Sequence, residues 1–137
     1  MKKIFILLAI GMSGCAGGGL IRTPAPQAAL DTAKAVRISG EIAPYEIGFS
    51  GVYEYNAAQV RLAVISEVGI KLLDMSVTAD KTYVHYHVPK LPKRVQAAFG
   101  RLAREAFFTS CPPAKITYYD KALRGTFEVR TQGGVCP

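Results

Sequence analysis

The chain has 137 residues, with 17 Lys and Arg against 10 Asp and Glu, and three cysteines. Half of its residues are apolar and a fifth are charged, which excludes a disordered tail. The length allows one domain, and no segment repeats at a fixed period, which excludes a solenoid.

In chain order, Met1-Lys2-Lys3 leads into the apolar run Ile4-Phe5-Ile6-Leu7-Leu8-Ala9-Ile10 and then the small residues before Cys15. Two positive charges, a short apolar core and small residues at a cut point predict a secretory signal over residues 1–14. The apolar core is too short to span a bilayer, which takes about 20 residues. Loss of Lys2 and Lys3 leaves 15 basic against 10 acidic side chains, a net of +5. Such a domain is drawn to anionic head groups, and nucleic acid is not an expected partner.

The residues around the cut, Met12-Ser13-Gly14-Cys15, resemble a bacterial lipobox. The resemblance implies that Cys15 becomes the acylated N-terminus, a palmitate-type anchor holding the protein on a membrane. Ala16, rather than Asp, follows the cysteine, which implies sorting to the outer membrane with the domain in the periplasm. With Cys15 lipidated, Cys111 and Cys136 remain, and an exported pair is expected to form a disulfide.

Residues 15–35 read as the lipidated N-terminus and a linker: Gly17-Gly18-Gly19 and Thr23-Pro24-Ala25-Pro26 are linker chemistry, and Ala-rich Gln27–Val36 suggests a short helix. Residues 36–137 form the single domain. Period-2 alternation predicts strands over Arg37–Ile42, Ile47–Tyr55, Gln59–Ser66, Ile70–Thr78 and Thr82–Val88, joined by short turns as an antiparallel meander.

The period then changes to 3.6. Pro92 suits a helix start, and Leu91, Val95, Ala98, Phe99, Leu102 and Ala106 form one apolar stripe opposite Lys93, Arg94, Arg101 and Arg104. Gly100 inside this helix marks a close approach or a flexible point. Phe107 and Phe108 cannot both lie on the stripe, so either the helix frays before Phe107 or an aromatic points outward. Cys111-Pro112-Pro113 ends the helical pattern, and Lys115–Asp120 and Leu123–Thr131 are predicted to return as strands. The fold class is α+β, a curved antiparallel sheet with one main amphipathic helix.

The segment Gln59–Met75, preceded by Phe49-Ser50-Gly51-Val52-Tyr53, resembles the early strands of the periplasmic lipoprotein carrier and receptor family, LolA and LolB. In that family an apolar strand containing Arg meets a Gly-bearing turn and a second apolar strand. The resemblance implies an incomplete β-barrel whose concave face, partly covered by helices, accepts acyl chains. This chain has fewer strands after its helix than the family has.

Both faces of several strands are apolar, as with Leu62 and Ile65, or Leu72 and Leu73. One helix covers only part of such a sheet, so the remainder is expected to line an acyl site or to fill the interior. The candidate apolar contacts are Phe49, Tyr53, Leu62, Val64, Leu72, Met75, Val95, Phe99 and Leu102. Candidate head-group or membrane contacts are Arg61, Lys93, Arg101 and Arg104.

His85 and His87, two apart on one strand, are expected on one face, a workable spacing for two metal ligands with Asp74 or Glu54 as a third. Two surface or hydrogen-bonded histidines are the competing expectation. No nucleophile, phosphate loop or paired carboxylate is placed by the sequence. The expectation is a non-enzyme without a cofactor or metal: a lipoprotein that binds an acyl chain, lipid or lipidated partner, or alternatively a small anchored interaction module with a filled core.

Overall fold

The computed structural model describes residues 20–21, 35–56, 58–134 and 136. Its elements are β1 (Leu20–Ile21), β2 (Val36–Ala43), β3 (Ile47–Asn56), β4 (Gln59–Ile65), β5 (Lys71–Val77), β6 (Thr82–His87), α1 (Lys93–Ala106), β7 (Lys115–Asp120) and β8 (Gly125–Gly133). The eight strands form one sheet in the order β1-β6-β5-β4-β3-β2-β8-β7. Every described pairing is antiparallel except β1 with β6. The sheet does not close, and the class is α+β.

Seven strands and the helix fall where period and turn chemistry predict them. Two departures lie at the start. Val36, expected at the end of a short helix, is instead the first residue of β2, while the rest of that expected helix, up to residue 34, lies outside the described residues. Leu20–Ile21, expected as linker, adds a short strand beside β6.

Alternation puts one face of each strand into the core. In register, Val36, Tyr53, Leu62, Met75 and Val84 form a single row across five strands, all buried. Their neighbours Arg37, Val52, Ala63 and Asp74 form the matching row on the opposite face. Strand crossings are close at Gly40 and Gly51, where a Cβ would strike the carbonyl oxygens of Glu128 and Ala63. Only glycine fits there, and both positions let the strands bend.

The sheet curls around α1. Eight flat strands at about 4.8 Å spacing would be roughly 34 Å wide, three times the diameter of a helix, yet α1 contacts both edge strands, β1 and β7. Gly100 packs against β6: a Cβ on it would lie 2.9 Å from Thr82 Oγ1 and 3.1 Å from its Cγ2. Of the two expected roles for this glycine, close approach is the one seen.

Helix α1 ends at Ala106, and the Phe107 N–H still donates to the Ala103 carbonyl. The chain then bends so that Phe107 enters the core and stacks on Tyr53, with ring centroids 4.2 Å apart and planes at 7°. Phe108 packs on Tyr55 at 5.6 Å. Ending the helix before Phe107, the first of the two expected outcomes, thus brings both aromatics against the sheet.

Candidate functional site: a filled interior and an uncovered sheet face

Eight of the nine expected apolar contacts meet in the interior. Phe49, Tyr53, Leu62, Val64, Met75, Val95, Phe99 and Leu102 are all at most 5% exposed. They pack on one another and on the helix: Phe49, Phe99 and Phe127 form a three-ring edge-to-face cluster with centroids 5.1, 5.2 and 6.4 Å apart. Tyr53 keeps its hydroxyl satisfied by donating to the Thr109 carbonyl at 2.8 Å, and burial pushes its ionisation above the usual range for a phenol. Leu72, the ninth, is only half-buried, packed against that core at the point where the β4–β5 register shifts.

Three of the four expected membrane cations are committed inside the fold. Arg61 forms two hydrogen bonds to Asp74, at 2.7 and 2.9 Å, and Lys71 adds a third at 3.1 Å. Burial works against ionising Asp74, but these donors overcome it and hold the carboxyl below the usual range. Arg61, expected as a head-group or membrane contact, is thus paired with Asp74 on the outer face.

Arg101 makes the equivalent fork to Asp120, at 2.7 and 3.0 Å. Asp120 is fully buried and also accepts from the Leu123 N–H and the Tyr118 hydroxyl. Against the penalty of burial, these contacts lower its pKa too. Arg104 donates to the carbonyls of Thr78 and Lys81 and to Thr82 Oγ1. It clasps the β5–β6 turn to the helix. Lys93, the fourth, is exposed.

The histidines do not share a face. Between β5 and β6 the register shifts: Met75 pairs with Val84, but Asp74 pairs with Tyr86 and Leu73 with His87. One extra residue, His85, is thereby inserted, and a bulge of this kind breaks the two-residue parity of a strand. His85 Nε2 lies 2.8 Å from Ser76 Oγ, while His87 Nδ1 lies 2.9 Å from the Val88 carbonyl oxygen. Among the described residues no group of three His, Cys, Asp or Glu could hold a metal ion, and Asp74, one of the two suggested third ligands, is hydrogen-bonded to Arg61 and Lys71.

The structure opens elsewhere. On the outer face, away from α1, a groove of about 740 Å³ is lined by Arg37, Ser39, Ser50, Val52, Lys115 and Arg130, with Ile65 and Gln132 among the other lining residues. Lys115, Arg130, Ser39, Ser50 and Ile65 stand in one register row across five strands. Short side chains in the middle and long cations at one flank make a trough rather than a flat sheet. Sequence alternation marks each residue as outward-facing. Their meeting depends on β8 pairing with β2, across some 90 residues of chain, which no local pattern announces.

The expected disulfide is formed: Cys111 and Cys136 are bonded, with Cα atoms 5.0 Å apart, closing a loop of 25 residues. It ties the segment after α1 to the end of β8. Cys15 and the signal segment lie outside the described residues. No helix among the described residues is long and apolar enough to cross a membrane. No protein-family model, curated protein or solved structure matches the chain.

Proposed function

We propose that this chain is an anchored, non-catalytic interaction module of the bacterial envelope, held at the outer membrane through lipid on Cys15. Its sheet and helix serve as a rigid scaffold, and its uncovered sheet face receives the partner. The observation that carries this reading is the closure of the interior: the residues best suited to hold an acyl chain are spent on one another. A groove with Arg37, Lys115 and Arg130 along its lining remains open to solvent, and its chemistry favours a polar or anionic partner surface.

A carrier reading of the Lol kind has one supporting observation, a curled open sheet with a helix across its concave side. An acyl chain would enter only if α1 lifted away. That motion would break the Arg101–Asp120 fork and the three Arg104 bonds and leave the fully buried Asp120 carboxylate without its countercharge, a severe penalty.

Titration with a fluorescent fatty acid, together with native mass spectrometry, separates the two. The scaffold reading expects no saturable uptake and no co-purifying lipid, and stoichiometric uptake would replace it with the carrier. Incorporation of labelled palmitate that disappears in Cys15→Ser tests the anchor on its own.

A further inference from the structure

The described surface carries six exposed large apolar side chains: Tyr45, Ile47, Val68, Ile70, Tyr86 and Tyr119. All six lie at one end of the sheet. Tyr45 is in the β2–β3 turn and Ile47 begins β3; Val68 and Ile70 are in the β4–β5 turn; Tyr86 and Tyr119 are the penultimate residues of β6 and β7. This is the end at which β2, β4, β6 and β7 finish and β3, β5 and β8 begin.

The same end collects exposed cations, Lys90, Lys93, Arg94, Lys121 and Arg124, beside Lys71, which is already paired with Asp74. Against them stand two exposed carboxylates in those turns, Glu46 and Glu67. Glu41 and Glu128 face each other in register farther down the outer face.

From this juxtaposition we infer that the loop end docks on an anionic lipid surface, placing its tyrosines and aliphatic tips at the head-group level and its cations against phosphates. Tyrosine, with an apolar body and polar tip, suits that boundary, and lysine and arginine reach outward around it. A protein interface concentrates its apolar anchors in a central packed cluster. Here they are strung along a rim, from β6 to β7, with cations between them, a spacing that a fluid interface accepts.

The tips are also held in place before contact. Ser66 Oγ accepts from the N–H groups of Val68 and Ile70, at 3.3 and 3.1 Å, so the turn presents both side chains outward. Val68 is 80% exposed. The Tyr45 hydroxyl donates to the Leu123 carbonyl at 2.6 Å, fastening the β2–β3 turn to the β7–β8 turn. Arg124 holds a left-handed conformation, φ 58°, where glycine is favoured, yet the position carries a cation.

This contact does not depend on the anchor proposed above: Leu20 pairs with Thr82 at the opposite end of the sheet, whereas the rim is built by the turns at the far end of β6.

The chain contains no tryptophan, so a full-length Val68→Trp variant reports on the rim alone, and Gln59→Trp, exposed at the start of β4 at the opposite end of the sheet, serves as control. Both are mixed with vesicles of equimolar phosphatidylglycerol and brominated phosphatidylcholine, or of brominated phosphatidylcholine alone. Expected is a blue shift and quenching at position 68 with the anionic vesicles, at least tenfold weaker with the neutral ones, and no quenching at position 59. Arg124→Gly and Lys121→Gln, neither of which disturbs a buried contact, should each weaken binding about fivefold, the usual worth of one cation near an anionic surface. Absence of quenching at position 68, equal quenching at both positions, or indifference to the charge variants overturns the inference. So does a fluorescence change at position 68 that needs a protein partner instead of lipid.

Discussion

Replacing Phe99 by Ala tests the filled interior most directly. The ring is 2% exposed and is gripped by Phe49 at 5.1 Å and Phe127 at 5.2 Å, each edge-to-face. It projects from the middle of α1 onto the centre of the sheet, where neither partner can collapse freely, because Phe49 sits on β3 between Gly48 and Ser50 and Phe127 on β8 is wholly buried. Truncation of such a ring costs about 3–5 kcal/mol, from lost transfer energy and the cavity left behind. For a domain of this size that lowers the melting temperature by roughly 15–25 °C. Thermal unfolding followed by circular dichroism measures the loss. The second readout is ligand uptake: a dry apolar cavity of this origin takes up small apolar molecules such as benzene. The parent chain should therefore bind neither benzene nor fatty acid, and the variant should gain benzene binding. A parent that already binds, or a variant that loses less than about 1 kcal/mol, would mean that Phe99 borders a space rather than filling one.

Three other outcomes follow from contacts already described. Asp74 and Asp120 have folded-state pKa values below their ordinary 3.8, so their stabilisation is complete above that value and is lost as pH falls through the lower folded values. Acid titration of stability should be flat near neutrality and drop below about pH 4, and Asp120→Asn should cost about 2–3 kcal/mol, less than a fully buried pair because Arg101 is 38% exposed. Replacing Cys111 and Cys136 together by Ser releases a 25-residue loop and should cost about 3.5 kcal/mol in denaturant unfolding. Gly100→Ala should destabilise the parent, because its Cβ meets Thr82, but stabilise a Thr82→Ala background by up to about 1 kcal/mol through helix propensity; additivity of the two changes in a double-mutant cycle would refute the close approach.

Much of the fold was legible because local periods change where the elements do. Alternation from Val36 to His87 and the 3.6-residue stripe of Val95, Ala98, Phe99 and Leu102 each match one face of an element that is now buried. Short turns between β2 and β6 allow little besides adjacent antiparallel pairing. The return of β8 to β2 was not legible, since a strand arriving after a helix can join either edge of a meander, and the choice is settled by how α1 closes the concave side. The histidine spacing failed for a local reason: a single inserted residue at His85 reverses the side on which later side chains emerge, and nothing in Thr82–His87 marks a bulge.

The cations show why a charge pattern alone misassigns a surface. The helical wheel correctly separates Arg101 and Arg104 from the apolar stripe. Their partners, Asp120 and the β5–β6 turn, lie 19 to 26 residues away in sequence and come from elements packed beside the helix. A buried carboxylate such as Asp120 or Asp74 demands a guanidinium, and each arginine that meets this demand ceases to be available to a membrane. The same accounting sharpens the location of what remains. Once Arg61, Arg101 and Arg104 are assigned to the fold, exposed positive charge gathers at two places, the groove beside Lys115 and Arg130 and the turns around Lys121 and Arg124. Only the second place also carries the exposed tyrosines and aliphatic tips, so an anionic protein partner and an anionic lipid surface are addressed by different parts of one small domain. Charge variants at Arg130 and at Arg124 should accordingly separate the two interactions, each weakening one and sparing the other.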